Sequence, residues 1–354
     1  MTGAGRPGPL RVLIDAGYAL RAPVTGTAVY LDALCAALRD RDDILPIPVA
    51  DRRRGGPGAG SVASVRHAAR DAWWVQSVLP ALARRHRADV IHHALPAWSR
   101  RARCAQVITV HDLAFVAHPD WFAPRFRRWA VRAHRTAALR ADAVICVSEA
   151  TRTDLRHHWP AAAARAVVVA HGPGQPLVPV PRAAAPIHFL YVGDDEPRKR
   201  LGLLLEAHRR YRAAVGPAAL PLVLAGRARA RQDGVTVVAH PDRRRLSELH
   251  AGAAALVHAA GHEGFGLTLV EAMAAGTPVL AVRGAAVAEV CGAAAWLVAA
   301  DADALAAGMQ ALAGDPARRE ALSRHGRERA GAFSWERCAA GHAEVYARAA
   351  AMRH

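Results

Sequence analysis

The chain has 354 residues, 52% of them hydrophobic and 22% charged, enough for one or two domains with large buried cores. No apolar run reaches the ~18–20 residues that span a bilayer, and the basic residues are dispersed without a nucleic-acid recognition motif, so an integral membrane class and a nucleic-acid binder are both disfavoured. The net charge is +17, with 46 of the 47 basic residues being Arg, and residues 1–180 hold 25 Arg against 13 acids. That imbalance reads either as an anionic partner surface or as a compositional bias toward Arg.

Residues 1–9 are rich in Gly and Pro, with no apolar core of a signal peptide, and read as a disordered tail. Leu10–Asp15 reads as a buried strand, followed by a loop with Gly17 and Gly26 and a helix from about Ala28 to Arg39. A strand, a Gly-bearing turn and a helix open a Rossmann-like unit, although no GxGxxG is present. Ile44–Val49 is the second strand, 52–60 an Arg/Gly/Pro loop, and 64–87 an amphipathic helix carrying Trp73 and several Arg. Trp and Arg on one such element suit either a core-facing helix or docking on a membrane surface. Val90–His92 and Val107–Val110 are further strands, the second ending at His111-Asp112. The helix after Phe122 is rich in Arg, with Phe126 and Trp129 among them. Ser148 reads as the N-cap of a helix over 149–158. The five cysteines lack metal-ligand spacing and read as reduced, buried thiols, and the pairs His92-His93 and His157-His158 read as polar caps at element ends.

Five prolines between 171 and 186 make a stiff linker. The domains expected are therefore a first one over 10–180, a second over 181–334 and a terminal helix over 335–354. The strand pattern restarts at Ile187–Val192, and Asp194–Arg200 leads into a helix. Lys199 is the only lysine in the chain, which marks a site wanting a compact ammonium. Leu222–Gly226 and Val235–Val238 are strands, and a helix covers 243–251. Asp301 and Asp303 mimic a metal-binding pair but stand before a helix, where an N-cap is the reading preferred.

The stretch around which the chain is organised is His262–Val279. A buried strand, Ala253–His258, is followed by a loop with Gly264 and Gly266, a helix of about eight residues, and a stop at Gly276 and Pro278. Glycines let backbone approach a ligand closely, and free N–H groups at a helix start form an anion site. Glu263 and Glu271 bracket that site and can accept hydrogen bonds from hydroxyls. Phosphate plus hydroxyls describes a nucleotide-sugar, though spacing alone also fits an ordinary strand–loop–helix turn with two solvated acids.

Glu263 and Glu271, with Gly-Phe-Gly between, resemble the E-x7-E signature of retaining glycosyltransferases of family 4. Val110-His111-Asp112-Leu113, Pro119–Phe122 and Ala141–Thr151 match the same family's N-terminal pattern, and Thr25-Gly26-Thr27 with Tyr30 resembles its glycine loop. The resemblance covers nearly the whole chain. It implies an α/β GT-B fold, two Rossmann-like domains facing across a cleft, with the terminal helix crossing back to the first. It further implies transfer of a sugar from a nucleoside diphosphate sugar with retention, mannose from GDP-mannose being favoured, without cofactor or metal. By the same resemblance Arg198, Lys199 and the backbone at Gly264, Phe265, Gly266 and Leu267 hold the donor diphosphate, Glu271 the ribose, and His111 and Glu263 are catalytic. Gly26 and Thr27 face the cleft. His262 stands near the place where the family often has Pro-Ser, which leaves the local donor contacts open. The acceptor expected is a glycan or a lipid-linked or small molecule, with the protein cytoplasmic and in peripheral contact with the inner face of the plasma membrane, where its basic first half would meet anionic lipid. A sugar-nucleotide epimerase, a phosphorylase and a non-catalytic partner subunit that binds nucleotide-sugar are the rival readings.

Overall fold

A computed structural model of the chain describes residues 8–21, 25–51, 69–175 and 177–353. Most of the expected tail and the Arg/Gly/Pro loop over 52–60 lie outside the described residues, as does the start of the helix expected over 64–87. The chain divides into two units, Met1–His171 with Trp335–His354, and Gly172–Ser334.

The first unit is built on a parallel six-stranded sheet with β1 Leu10–Asp15, β2 Ile44–Val49, β3 Val90–His93, β4 Ala105–Val110, β5 Ala143–Cys146 and β6 Ala166–Val168. The strand order is β2-β1-β3-β4-β5-β6, so the direction of winding switches between β1 and β3. Strands β3, β4 and β5 are buried at every position, as expected when helices cover both faces of a parallel sheet. His92 and His93 do end β3, but both are fully buried and not the polar caps expected of them. Before the helix Leu79–Arg85 the chain makes a five-residue π turn, Trp74–Val78. Pro80 has no N–H to donate back along the helix, which accounts for the irregularity.

The terminal helix Trp335–Ala351 belongs to this first unit. It lies against the helix Gly26–Arg39 and β4, and buries Cys338, Ala339, Ala343, Val345 and Tyr346 in the same core. A Cβ at Gly341 would stand 2.9 Å from Val169 Cγ1, so a glycine is what lets this helix approach the end of the sheet.

The second unit carries another parallel six-stranded sheet: β7 His188–Val192, β8 Leu222–Ala225, β9 Val235–Val238, β10 Ala253–His258, β11 Val279–Val282 and β12 Trp296–Val298. Its order is β12-β11-β10-β7-β8-β9, the doubly wound arrangement in which the switch falls between β7 and β10. Three-residue β12 has too little pattern to be anticipated. The helix Ala302–Gly314 starts at Asp301, whose carboxylate accepts from Ala304 N at 2.9 Å, the N-cap role expected in place of metal binding. Among the described residues no helix is long and apolar enough to cross a membrane.

Candidate functional site

Ligands of open parallel sheets bind beyond the carboxyl ends of strands at the switch point. In the second unit that place is built by the segments leaving β7 and β10. After β7 the chain turns at Gly193, where φ is +145°, and makes a 3-10 turn over Pro197–Lys199. Arg200 then takes a left-handed conformation, φ +48°, and opens the helix Leu201–Val215. After β10 the loop brings Gly261 N to the carbonyl of Arg198 at 2.8 Å, which ties the two segments together.

Their side chains meet in one ionic cluster. Glu263 receives Lys199 Nζ on Oε1 at 2.5 Å and Arg198 Nη1 on Oε2 at 3.0 Å. Arg198 also donates from Nε to Glu196 at 2.7 Å. Both Lys199 and the Glu263 side chain are only 9% exposed. Burial alone would raise the pKa of Glu263, but Lys199, Arg198 and His258 pull it down to about 2, so the carboxylate is charged at neutral pH. Buried His258, with Nε2 3.5 Å from Glu263 Oε1, is pushed down to about 4, chiefly by desolvation.

The helix Leu267–Ala274 follows directly. Its N-cap is Gly266, with φ +94° and no side chain to accept a hydrogen bond, and no acid stands in its first turn. A helix start leaves its first N–H groups without intrahelical acceptors, and here no side chain satisfies them from the cap position. Glu271, 5% exposed, sits further along this helix. Its Oε2 accepts from Gln175 N at 3.1 Å, and a Cβ at Gly174 would lie 2.3 Å from the same oxygen, so any larger residue there would push the carboxylate out of this position. The two acids thus differ: Glu263 spends both oxygens on cations, whereas Oε1 of Glu271 has no hydrogen-bond partner among the described residues.

In the first unit His111 follows β4 and points its Nε2 at the carbonyl of Ala94, 2.9 Å away beyond β3. A carbonyl only accepts, so Nε2 carries the proton and the neutral ring keeps a lone pair on Nδ1. Burial lowers the pKa of His111. Tyr30 stands edge-on to the ring, with centroids 5.0 Å apart. Gly26 and Thr27 are the first residues of the helix Gly26–Arg39, capped by Thr25.

Against known proteins, the model of "Glycosyltransferase Family 4" matches residues 24–173, and that of "Glycosyl transferases group 1" matches residues 180–329. The chain belongs to the group 1 glycosyltransferases of family 4. It is 27% identical over 288 residues to the O-antigen chain mannosyltransferase B of Escherichia coli, covering 71% of this chain and 72% of that protein. Over 95 residues it is 42% identical to the MMP alpha-(1->4)-mannosyltransferase of Mycolicibacterium hassiacum, a match covering 25% of this chain and 23% of the relative. Sucrose-phosphate synthase from Thermosynechococcus elongatus superposes with a TM-score of 0.73 at 22% identity, covering 96% of this chain and 98% of that one. WaaG, a glycosyltransferase of lipopolysaccharide biosynthesis, gives 0.69 at 17% identity, covering 95% and 99%. These likenesses, with the two parallel sheets, give the glycosyltransferase its GT-B fold of two Rossmann-like domains.

Of the site residues expected in the second unit, Arg198, Lys199 and Glu263 are in direct contact, and Glu271 lies on the helix that the Gly264–Leu267 segment opens. Glu271 is also met by residues that pattern reading passes over. Gly174 and Gln175, on the linker, clamp Glu271, and His250, on the helix Arg243–Gly252, faces it with Nε2 3.7 Å from Oε1. Neither is signalled by local sequence: a glycine beside proline reads as loop, and a His inside an apolar helix face reads as core.

Proposed function

We propose that this glycosyltransferase moves a sugar from a nucleoside diphosphate sugar to a glycan or lipid-linked acceptor with retention at the anomeric carbon, mannose from GDP-mannose being the favoured donor. One observation carries the reading: an ionic cluster of half-buried Arg198 with buried Lys199 and Glu263 at the sheet's switch point, beside a helix start that no side chain caps. The bond from the anomeric carbon to the diphosphate oxygen breaks with both electrons going to the diphosphate. Arg198, Lys199 and the amides of the Gly264–Leu267 segment hold that charge, and donors fixed in advance at the place where charge develops supply the largest part of such catalysis. Two positive side chains and a helix start perform this work without a metal in the scheme. Ionised Glu263 keeps the cations in position and offers negative charge to the oxocarbenium-like carbon. His111 is the proposed catalytic residue of the first unit, and Glu271 takes the ribose hydroxyls.

The names of the two sequence relatives support mannosyl transfer. Anabaena HepE, of the same fold at 17% identity and a TM-score of 0.69, was solved with UDP and glucose, so the nucleotide is the point to test. A thermal-shift panel of GDP, UDP, ADP and dTDP tests it, because a ligand that binds only the native state raises the melting temperature. GDP is expected to give the largest rise. A larger rise with UDP would transfer the donor assignment to a UDP-sugar, and no rise with any diphosphate would remove the nucleotide-sugar reading.

The acceptor side is proposed to include an anionic membrane surface on the cytoplasmic face. The helix Pro124–Arg140 exposes Phe126 at 49% and Trp129 at 54% among its arginines. Apolar rings beside cations suit an interfacial helix. Flotation with vesicles containing anionic lipid at low salt is expected to carry the protein up, and equal flotation with neutral vesicles would sink the electrostatic part of this proposal.

A further inference from the structure

The unpartnered oxygen of Glu271 has a counterpart. His250 is 1% exposed, and its Nε2 also has no hydrogen-bond partner among the described residues. The other ring nitrogen explains why. Thr277 Oγ1 donates its only proton to the carbonyl of His250 at 3.0 Å, so it can only accept from His250 Nδ1, 3.2 Å away. In the neutral ring the proton is therefore on Nδ1, and Nε2 presents a bare lone pair toward Glu271 Oε1. Their separation of 3.7 Å is too long for a direct hydrogen bond. In that tautomer Nε2 and Oε1 face each other as two buried acceptors, with no donor between them among the described residues. Both residues line one cavity of about 350 Å³, together with Gln175, Val178 and Arg182 among others. Buried acceptors are normally satisfied, so an unpaired couple of them calls for a donor from outside the chain.

We infer that His250 is a second hydroxyl acceptor for the donor's ribose, taking one hydroxyl of the vicinal pair while Glu271 takes the other, and that the couple selects ribonucleotides over their deoxy forms. The inference rests on the reading of Glu271 as the ribose residue and adds a specificity-determining partner to it. Thr277 acts at one remove: it fixes the tautomer that makes Nε2 an acceptor.

Calorimetric titration with GDP and UDP, and with the 2′-deoxy and 3′-deoxy form of each, tests it on the wild type and on His250→Phe, Thr277→Val and Glu271→Gln. The wild type is expected to bind one deoxy form about tenfold more weakly through each acceptor left empty. His250→Phe is expected to bind the ribonucleotide and one of the two deoxy forms within about twofold of each other, while still discriminating against the other. Thr277→Val keeps the ring but frees its tautomer, and a partial loss of the same discrimination is expected. That variant carries the test if His250→Phe does not fold. A wild type that ignores both missing hydroxyls, or His250 and Thr277 variants that lose affinity equally for all three sugars, overturns the inference. If Glu271→Gln leaves every affinity unchanged, the ribose reading itself falls. If Glu271→Gln weakens binding while the His250 discrimination is absent, only the inference falls.

Discussion

The two units bury polar side chains at the ends of similar sheets, but they do so in opposite ways. In the first unit the polar groups buried between the terminal helix and the sheet are neutral and bond to one another. Tyr30 reaches His342 Nε2 at 2.9 Å and Thr109 at 3.0 Å, His92 reaches Thr109 at 2.9 Å, and Tyr346 reaches His92 Nδ1 at 2.8 Å. This network pins the terminal helix to the helix Gly26–Arg39 and to β3 and β4. In the second unit the cluster of Arg198, Lys199 and Glu263 is ionic, and Glu271 Oε1 and His250 Nε2 are among the buried atoms with no hydrogen-bond partner among the described residues. A satisfied neutral network makes structure, since any missing member strands its neighbours. A charged cluster beside a helix start that no side chain caps suits the diphosphate proposed for it.

Substitutions that separate stability from activity sharpen this contrast. The largest effect is expected from Lys199→Met, a drop in kcat of about 10²–10³, the usual loss when one preorganised charge-stabilising group is removed. Lys199→Arg is expected to restore little, because the planar guanidinium does not fit where a compact ammonium meets a buried carboxylate. Steady-state kinetics with the donor identified by thermal shift checks both. Next comes Tyr30→Phe, which strands His342 Nε2 and should cost about 1–3 kcal/mol of stability, read as a lower melting temperature. Its affinity for nucleoside diphosphate should be unchanged. A Tyr30→Phe protein of full stability would show that the neutral network is not what holds the helix.

A pH series gives a smaller and graded effect. His258, His134 and His342 are each held down to about 4, chiefly by burial, so their neutral forms are favoured in the folded state. The unfolded chain binds protons at these groups near pH 6.5 and the folded one only near 4, so stability falls as pH drops through that window and their contribution is constant below it. Glu263, lowered to about 2, has the other window. Its stabilising contribution is complete above about pH 4.3, the ordinary value for a glutamate, and fades only as pH falls toward 2. Melting temperatures from pH 8 to 3 should show the histidine slope first. The smallest effect is expected from Glu206→Ala, which removes exposed pairs with Arg209 and Arg210 and should leave the melting temperature essentially unchanged.

Much of this was legible in the sequence. The bounds of β1, β2, β9 and β10 follow from short apolar runs between turn residues, and the N-caps at Ser148 and Asp301 from their side chains. The Arg198–Lys199–Glu263 contact was foreshadowed by the single lysine and by the E-x7-E spacing. What escaped reading depends on distant packing. His92 resembled a cap because a polar pair at a strand end usually is one, yet Tyr30, Thr109 and Tyr346 provide partners that allow it to be buried. Gly174 looks like any linker glycine until Glu271, 97 residues on, fills the space where its Cβ would be. The hydroxyl of Thr277 decides the tautomer of His250 from 27 positions away.

The central claim is that Arg198, Lys199 and the helix start at Gly266 grip a diphosphate. Calorimetric titration of wild type and Lys199→Met with the nucleoside diphosphate and with the matching nucleoside tests it most directly. The account predicts that the wild type prefers the diphosphate by at least about 100-fold, and that Lys199→Met gives up most of that preference while binding the nucleoside as before. Equal affinity of the two proteins for the diphosphate would contradict it.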